Sequence, residues 1–192
     1  MHDGIEPKDT PARRETVTTE KASPRILIVE DINFMARLVA AQLNAVGYKE
    51  VSIVHDGAEA LELLTRKPFD VIVTDWLMVP VGGRELCHNL RRANDSPAPG
   101  IAIIAVSAHI DHNTIDEMLR AGVDEIVAKP LVVEELLKRL KLVIAEPRQF
   151  VRTKTYFGPD RRRRYNPAFG DTERRKSPPK LEGRPKTRRK MQ

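Results

Sequence analysis

The chain has 192 residues, of which 41% are hydrophobic, and it carries a formal net charge of +6. This length allows one domain of ordinary size with extensions. A single cysteine, Cys87, excludes a disulfide framework and favours a reducing compartment. No apolar run reaches the roughly 18 residues of a membrane span, and the polar start lacks a signal-peptide core. We therefore expect a cytoplasmic protein without membrane insertion.

The charge is unevenly distributed along the chain. Residues 146–192 contain sixteen Lys or Arg against five Asp or Glu, a charge of +11, which leaves −5 for residues 1–145. Residues 1–24 are polar, contain three prolines and show no hydrophobic period, which is typical of a disordered segment. We predict three parts: a disordered N-terminal extension (1–24), a folded domain (25–145) and a disordered basic tail (146–192).

Within residues 25–145, short apolar runs alternate five times with helical patterns. The predicted strands are 25–29, 51–54, 71–75, 101–106 and 125–128, and apolar stripes at helical spacing span 35–46, 60–64, 86–90, 115–119 and 133–144. Strict alternation implies right-handed crossovers and a parallel sheet covered on both faces. The predicted fold class is α/β, a doubly wound, flavodoxin-like sheet of order 2-1-3-4-5 with five helices.

Polar residues follow the strands of this predicted sheet. Glu30 and Asp31 follow the first strand, Asp75 ends the third, Ser107 follows the fourth and Lys129 follows the fifth. Adjacent strands lie under about 5 Å apart, so these side chains can converge beyond the carboxyl ends of the strands.

The chemistry of this set is that of phosphoryl transfer. Three neighbouring carboxylates cannot all stay ionised without a cation, and oxygen ligands at an open site suit Mg²⁺. A lysine and a hydroxyl beside them can bind phosphoryl oxygens, so the site is suited to phosphoryl transfer onto Asp75.

Four motifs together make residues 25–145 resemble the receiver domain of two-component response regulators. They are Ile-Val-Glu-Asp at 28–31, the Asp75 strand with Met78 and Gly83, Ala-Val-Ser-Ala at 105–108, and Ala-Lys-Pro at 128–130. The resemblance covers about two thirds of the chain and neither terminus.

The resemblance implies a phosphoacceptor signalling protein rather than an enzyme with a separate substrate. Asp75 would accept the phosphoryl group from a histidine kinase or phosphotransfer protein. The implied Mg²⁺ ligands are Asp31 and Asp75 directly, Glu30 through water, and the carbonyl of Leu77; the implied phosphoryl-binding residues are Ser107 and Lys129.

Two positions depart from the family pattern. Ile126 occupies the switch position, where the family usually carries an aromatic residue, and Val79 intervenes between Met78 and Pro80. We therefore predict that the conformational change runs through Ser107 and the helix at 110–121, without the burial of an aromatic ring.

Three other functions are discounted. A phosphatase of the haloacid-dehalogenase type needs its nucleophile on the first strand and an acid two residues later, where this chain has Leu77. Dinucleotide binding would need a glycine-rich turn after the first strand. A transcription factor would need a second folded domain, for which the tail has too few apolar residues.

The basic tail contains an internal repeat of an aromatic-glycine pair followed by an acidic residue and arginines. The first copy runs from Phe157 through Arg161 and Arg162, and the second from Phe169 through Arg174 and Arg175. We interpret the tail as an interaction arm whose aromatic residues anchor an unidentified downstream protein. Two alternatives remain: a solvated tail that only adds solubility, and a tail that binds nucleic acid through charge alone.

Overall fold

The computed structural model describes residues 23–92, 94–161 and 180–185. Five strands form one parallel sheet of order β2-β1-β3-β4-β5, which confirms the predicted topology. The strands are β1 (Ile26–Val29), β2 (Val51–Val54), β3 (Val71–Asp75), β4 (Ala102–Ser107) and β5 (Glu125–Ala128). The helices are α1 (Asn33–Ala45), α2 (Gly57–Arg66), α3 (Gly83–Arg92), α4 (His112–Ala121) and α5 (Val133–Ala145).

The sheet separates two hydrophobic cores because successive side chains of a strand point to opposite faces. Leu27 and Ile72 pack on one face with α2, α3 and α4, whereas Ile28 and Val73 pack on the other with α1 and α5. Cys87 is buried in the first core, where burial raises the pKa of its thiol to about 12. The thiol is therefore protonated at neutral pH and serves as a packing residue.

Helices α2 and α4 begin earlier than their apolar stripes indicated, because each has a polar N-terminal cap. The Asp56 carboxylate accepts hydrogen bonds from the amides of Ala58 (2.6 Å) and Glu59 (2.9 Å), and Asp111 accepts one from Thr114 (2.9 Å). Gly122 ends α4 with φ 93°, as expected of a glycine past a helix terminus.

A second, small antiparallel sheet follows the domain, and we call it the C-terminal sheet. It comprises β6 (Phe150–Arg152), β7 (Phe157–Pro159) and β8 (Lys180–Glu182) in the order β7-β6-β8. Over residues 146–161 and 180–185, the part of the tail that the structure describes, this sheet differs from the predicted disorder. The physical reason is that Phe150 and Phe157 bury their rings against each other, with centroids 5.2 Å apart.

Residues 1–22 of the predicted extension (1–24) lie outside the described residues, as do 162–179 and 186–192 of the tail. Among the described helices, none has the length and apolar character needed to cross a bilayer.

Candidate functional site

Backbone hydrogen bonds continue past the strand ends and place the predicted site residues. The Trp76 amide donates to the Val106 carbonyl (2.9 Å), and the Lys129 amide donates to the Ser107 carbonyl (2.8 Å). The residues at the ends of β3, β4 and β5 are therefore fixed in register at the same edge of the sheet. Asp75 is the last residue of β3 at this edge, and its side chain is mostly buried.

Lys129 forms ion pairs with two of the predicted acidic residues. Its Nζ lies 2.7 Å from Oδ2 of Asp75 and 3.1 Å from Oε2 of Glu30. Burial acts to lower the pKa of Lys129, but hydrogen bonds and attraction from Asp75 and Glu30 outweigh this and raise the pKa. The ammonium group therefore stays charged at neutral pH.

Glu30, Asp31 and Asp75 form an acidic cluster whose possible ligand atoms all lie within 4.8 Å of one another. Asp31 is exposed and the other two residues are buried. Burial raises the pKa of Glu30, although the hydrogen bond and charge of Lys129 act to lower it. Oε1 of Glu30 is buried and accepts no hydrogen bond from the described residues.

This donor set fits a small, hard divalent cation. Three carboxylates are countered by one lysine, and a buried carboxylate oxygen without a donor is costly unless a cation or water contacts it. The cavity beside Glu30, Asp75 and Lys129 has a volume of about 20 Å³, which holds a single small ion or water. It is too small for an organic cofactor.

The other predicted site residues also lie near the ends of β3, β4 and β5. The Leu77 amide donates to Oδ1 of Asp75 (3.2 Å), while its side chain is 62% exposed. The buried Ser107 hydroxyl donates to the His109 carbonyl (3.0 Å) and accepts from the His109 amide (3.1 Å). Ile126 is partly buried and packs against the core formed with α2, α3 and α4.

Two further residues shape the end of β3: Thr74, to which sequence reasoning assigned no role, and Gly83, which entered only as part of the family motif. The Thr74 hydroxyl donates to the Asp75 carbonyl (2.9 Å) and is buried. Any side chain at Gly83 would place a Cβ within 2.4 Å of the same carbonyl, so α3 can start there only with glycine. Thr74 gives no signal in the sequence, because threonine is common in strands.

Two of the tail residues proposed as partner contacts, Phe157 and Arg161, lie in the part of the chain that the structure describes. Phe157 is only 8% exposed and packs on Phe150, with the Arg152 guanidinium 4.0 Å from its ring centroid. Phe157 is thus an internal packing residue, which corrects its interpretation as an exposed anchor. Arg161 is exposed, 4.9 Å from the Tyr156 ring. The remaining predicted contacts, Arg162, Phe169, Arg174 and Arg175, lie outside the described residues.

A larger open groove of about 910 Å³ lies between α3 and α4. Its lining is mostly charged, with Arg84 and Glu117 paired across it at 2.8 Å. It contains none of the predicted site residues, so the acidic cluster remains the candidate functional site.

Comparison with known proteins places the chain in a family. The family model of the response regulator receiver domain matches residues 26–141, more than half of the chain. The chain therefore belongs to the response regulator receiver family. Receiver domains of this family are signalling proteins of two-component systems.

Individual relatives agree with this assignment. A response regulator receiver protein of Anaeromyxobacter is 36% identical over 113 residues, which are 59% of this chain and 45% of that protein. The chemotaxis protein CheY-3 of Vibrio cholerae is 32% identical over 116 residues, which are 60% of this chain and 88% of that protein. The chain thus spans less than half the length of the first relative.

Solved structures show the same fold. The receiver domain of a sensor histidine kinase from Pseudomonas aeruginosa matches with a TM-score of 0.58 and 28% identity. The match covers 65% of this chain and all of that domain, which was solved with a magnesium ion coordinated in its active site cleft.

Proposed function

We propose that this chain is a response regulator that accepts a phosphoryl group on Asp75, in the presence of Mg²⁺, from a phosphohistidine of a kinase or phosphotransfer protein. The observation that carries the proposal is the contact between Lys129 and Asp75 (2.7 Å) inside a cluster of three carboxylates. A lysine paired to the buried Asp75 beyond the carboxyl ends of the strands, where open α/β sheets bind ligands, fits a phosphoacceptor.

The transfer itself needs one nucleophile and one departing imidazole. A carboxylate oxygen of Asp75 attacks phosphorus, the P–O bond forms, and the P–N bond to the donor histidine breaks with its electron pair on the nitrogen. The product is an acyl phosphate. Lys129 exchanges its contact with the free carboxylate for one with a phosphoryl oxygen, and Ser107 turns its hydroxyl from His109 toward another.

Glu30, Asp31, Asp75 and the carbonyl of Leu77 would hold the Mg²⁺. When bound, the ion offsets the negative charge of the transferring phosphoryl group. Within the chain itself, Glu30 and Asp31 supply negative charge that attracts the cation, and the ion pair with Lys129 orients Asp75 before the donor arrives.

A protein donor is favoured by the surface around Asp75. Exposed apolar side chains follow four of the five parallel strands at this edge: Ile32, Phe34, Leu77, Val79, Ile110 and Val132. Apolar side chains around a charged centre are typical of a protein contact surface. The downstream target is proposed to be a protein as well, contacted directly.

The test is phosphorylation by acetyl phosphate followed by intact mass measurement. We expect wild-type protein to gain one phosphoryl group with Mg²⁺ and none with EDTA, and Asp75→Asn to gain none. Asp70→Asn is the matched control, because Asp70 precedes the same strand at its opposite end and pairs with Arg25 (3.4 Å). Equal labelling of Asp75→Asn and wild type would refute the assignment.

A further inference from the structure

At the end of the sheet opposite Asp75, a buried carboxylate organises a second polar cluster. Asp124 lies in the turn between α4 and β5 and is 2% exposed. Its Oδ2 accepts a hydrogen bond from the Ile103 amide (2.9 Å). A carboxylate this deeply buried requires cationic partners, because desolvation strongly disfavours its charge.

Two arginines supply this charge in different ways. Arg91, also buried, directs its guanidinium mainly to three backbone carbonyls and reaches Oδ2 of Asp124 at 3.3 Å. Arg184, two residues after the end of β8, approaches both oxygens of Asp124 at 3.0 Å through its two terminal nitrogens. The bidentate pair, which is the stronger kind of ion pair, is therefore made by Arg184, 60 residues after Asp124 in the chain.

The contacts of Arg184 match the planar shape of a guanidinium group. The third nitrogen of Arg184, Nε, donates to the Gly100 carbonyl at 2.5 Å, so every nitrogen of the group has an acceptor. The guanidinium carbon also lies 5.1 Å from the centroid of the buried Phe150 ring. A lysine ammonium could satisfy the charge of Asp124 but could not make the planar, three-point contact.

The backbone just before Arg184 forms β8, the edge strand of the C-terminal sheet. Strand β8 pairs with β6 in antiparallel register, and Arg152 pairs with Glu182 at 3.1 Å. A Cβ at Gly100 would lie 2.0 Å from the Pro185 carbonyl oxygen, so the segment can dock only because residue 100 is glycine. The space at Gly100, the charge of Asp124 and the backbone pairing with β6 therefore all fit residues 180–185.

Little apolar surface holds β8 in place. The strand has three residues, and its Leu181 side chain is 52% exposed. Residues 160–179 separate it from β7 along the chain. Short edge strands held by polar contacts open locally at low free-energy cost. The docking of β8 therefore depends on its polar contacts, among them those of Arg184 with the buried Asp124.

We propose that Gly100, Asp124 and Phe150 form an arginine-binding site for an extended peptide segment, and that residues 180–185 of the same chain occupy it as a detachable strand. This site lies at the opposite end of the sheet from Asp75 and does not depend on the phosphoacceptor function. Its ligand class is an arginine-bearing strand, which the chain supplies to itself at the high effective concentration of a tether.

Hydrogen exchange on the full chain tests the docking. We expect the amides of β8 and β6 to be protected in wild type. Arg184→Lys and Arg184→Ala should speed exchange of β8 by about tenfold or more, as loss of charge-assisted hydrogen bonds predicts. Gly100→Ala should do the same without removing any charge. The matched control, Arg120→Lys on the exposed face of α4, should leave β8 unchanged.

A peptide experiment tests recognition directly. A labelled peptide with the sequence of residues 180–185 should bind full-length Arg184→Ala, and the same peptide with lysine for arginine should bind at least about tenfold more weakly. Wild type should bind the arginine peptide more weakly than the variant does, because its own strand competes.

Equal binding of the two peptides would overturn the proposal, as would β8 exchange unaffected by the Arg184 and Gly100 substitutions. Protection of β8 that rises with protein concentration would instead show docking between two copies and overturn occupation by the same chain.

Discussion

Glu30 occupies a setting in the folded protein that disfavours its charged form. Burial raises its pKa above the ordinary value of 4.5 despite the nearby Lys129. Between the ordinary and the raised pKa, the folded state binds more protons than the unfolded chain. The free energy of unfolding therefore falls as pH rises through that window, and the ionised carboxylate costs stability at every higher pH.

This sign gives a prediction for the metal-free protein. In EDTA at neutral pH, we expect Glu30→Gln to melt at a higher temperature than wild type, and the difference to vanish below about pH 4.5, where Glu30 is protonated in both states. Added Mg²⁺ should stabilise wild type more than the variant. Thermal melts over pH with Glu50→Gln, an exposed site, as control would check this. A lower melting temperature for Glu30→Gln in EDTA at neutral pH would contradict it.

The sequence predicts which residues of the site lie close together. The proximity of Asp75, Glu30 and Lys129 could be predicted because the carboxyl ends of parallel strands lie at one edge of a sheet. The partner of the Ser107 hydroxyl could not be foreseen, since it depends on the turn that places the His109 backbone. The pairing of Asp124 with Arg184 joins residues 60 apart and leaves no periodic signal.

Among the elements, the C-terminal sheet packs around one buried aromatic side chain. Phe150 is fully buried, contacts Phe157, and lies 5.1 Å from the guanidinium carbons of Arg91 and Arg184. We predict that Phe150→Ala lowers the free energy of unfolding by about 3–5 kcal/mol, the usual cost of removing a buried aromatic ring. Denaturant melts measure this directly.

The control for this prediction comes from the same sheet. Leu181 in β8 is largely exposed, so Leu181→Ala should change stability by no more than about 0.5 kcal/mol. If both variants lose stability equally, or if Phe150→Ala loses none, the Phe150 ring does not anchor the C-terminal sheet.

The two sheets also differ in how far they could be predicted. The five parallel strands are buried apolar runs, and their alternation with helical stripes defines the fold. Strands β6, β7 and β8 have three residues each, too few for a period of two to emerge from a segment rich in arginine and proline. Contacts with the domain, such as Arg91 over the Phe150 ring and Arg184 on Asp124, hold these strands in place, and no local pattern encodes such contacts.

For the whole molecule, the charge asymmetry has a structural consequence. The segment 146–192 carries +11 against −5 for the rest of the chain. Part of that positive charge is used internally: Arg148 pairs with the buried Glu125 at 2.8 Å, and Arg184 pairs with the buried Asp124 at 3.0 Å. The described part of the tail is therefore integrated into the domain, in contrast to the free arm that its composition suggested.

Truncated chains distinguish a tail that is packed against the domain from a tail that forms a free arm. Removing residues 147–192 takes Arg148, Phe150 and Arg184 together and leaves Asp124 and Glu125 with fewer cationic partners. Breaking a buried ion pair costs about 3–5 kcal/mol, so we expect a chain ending at residue 146 to melt well below one ending at residue 185, which keeps every described strand.

Both chains should still be phosphorylated at a temperature where they are folded, because Asp75 lies at the other end of the sheet. Calorimetry and intact mass on the two truncations check this pair of outcomes. Identical melting would mean that the C-terminal sheet contributes nothing to the stability of the domain, as expected for a disordered tail.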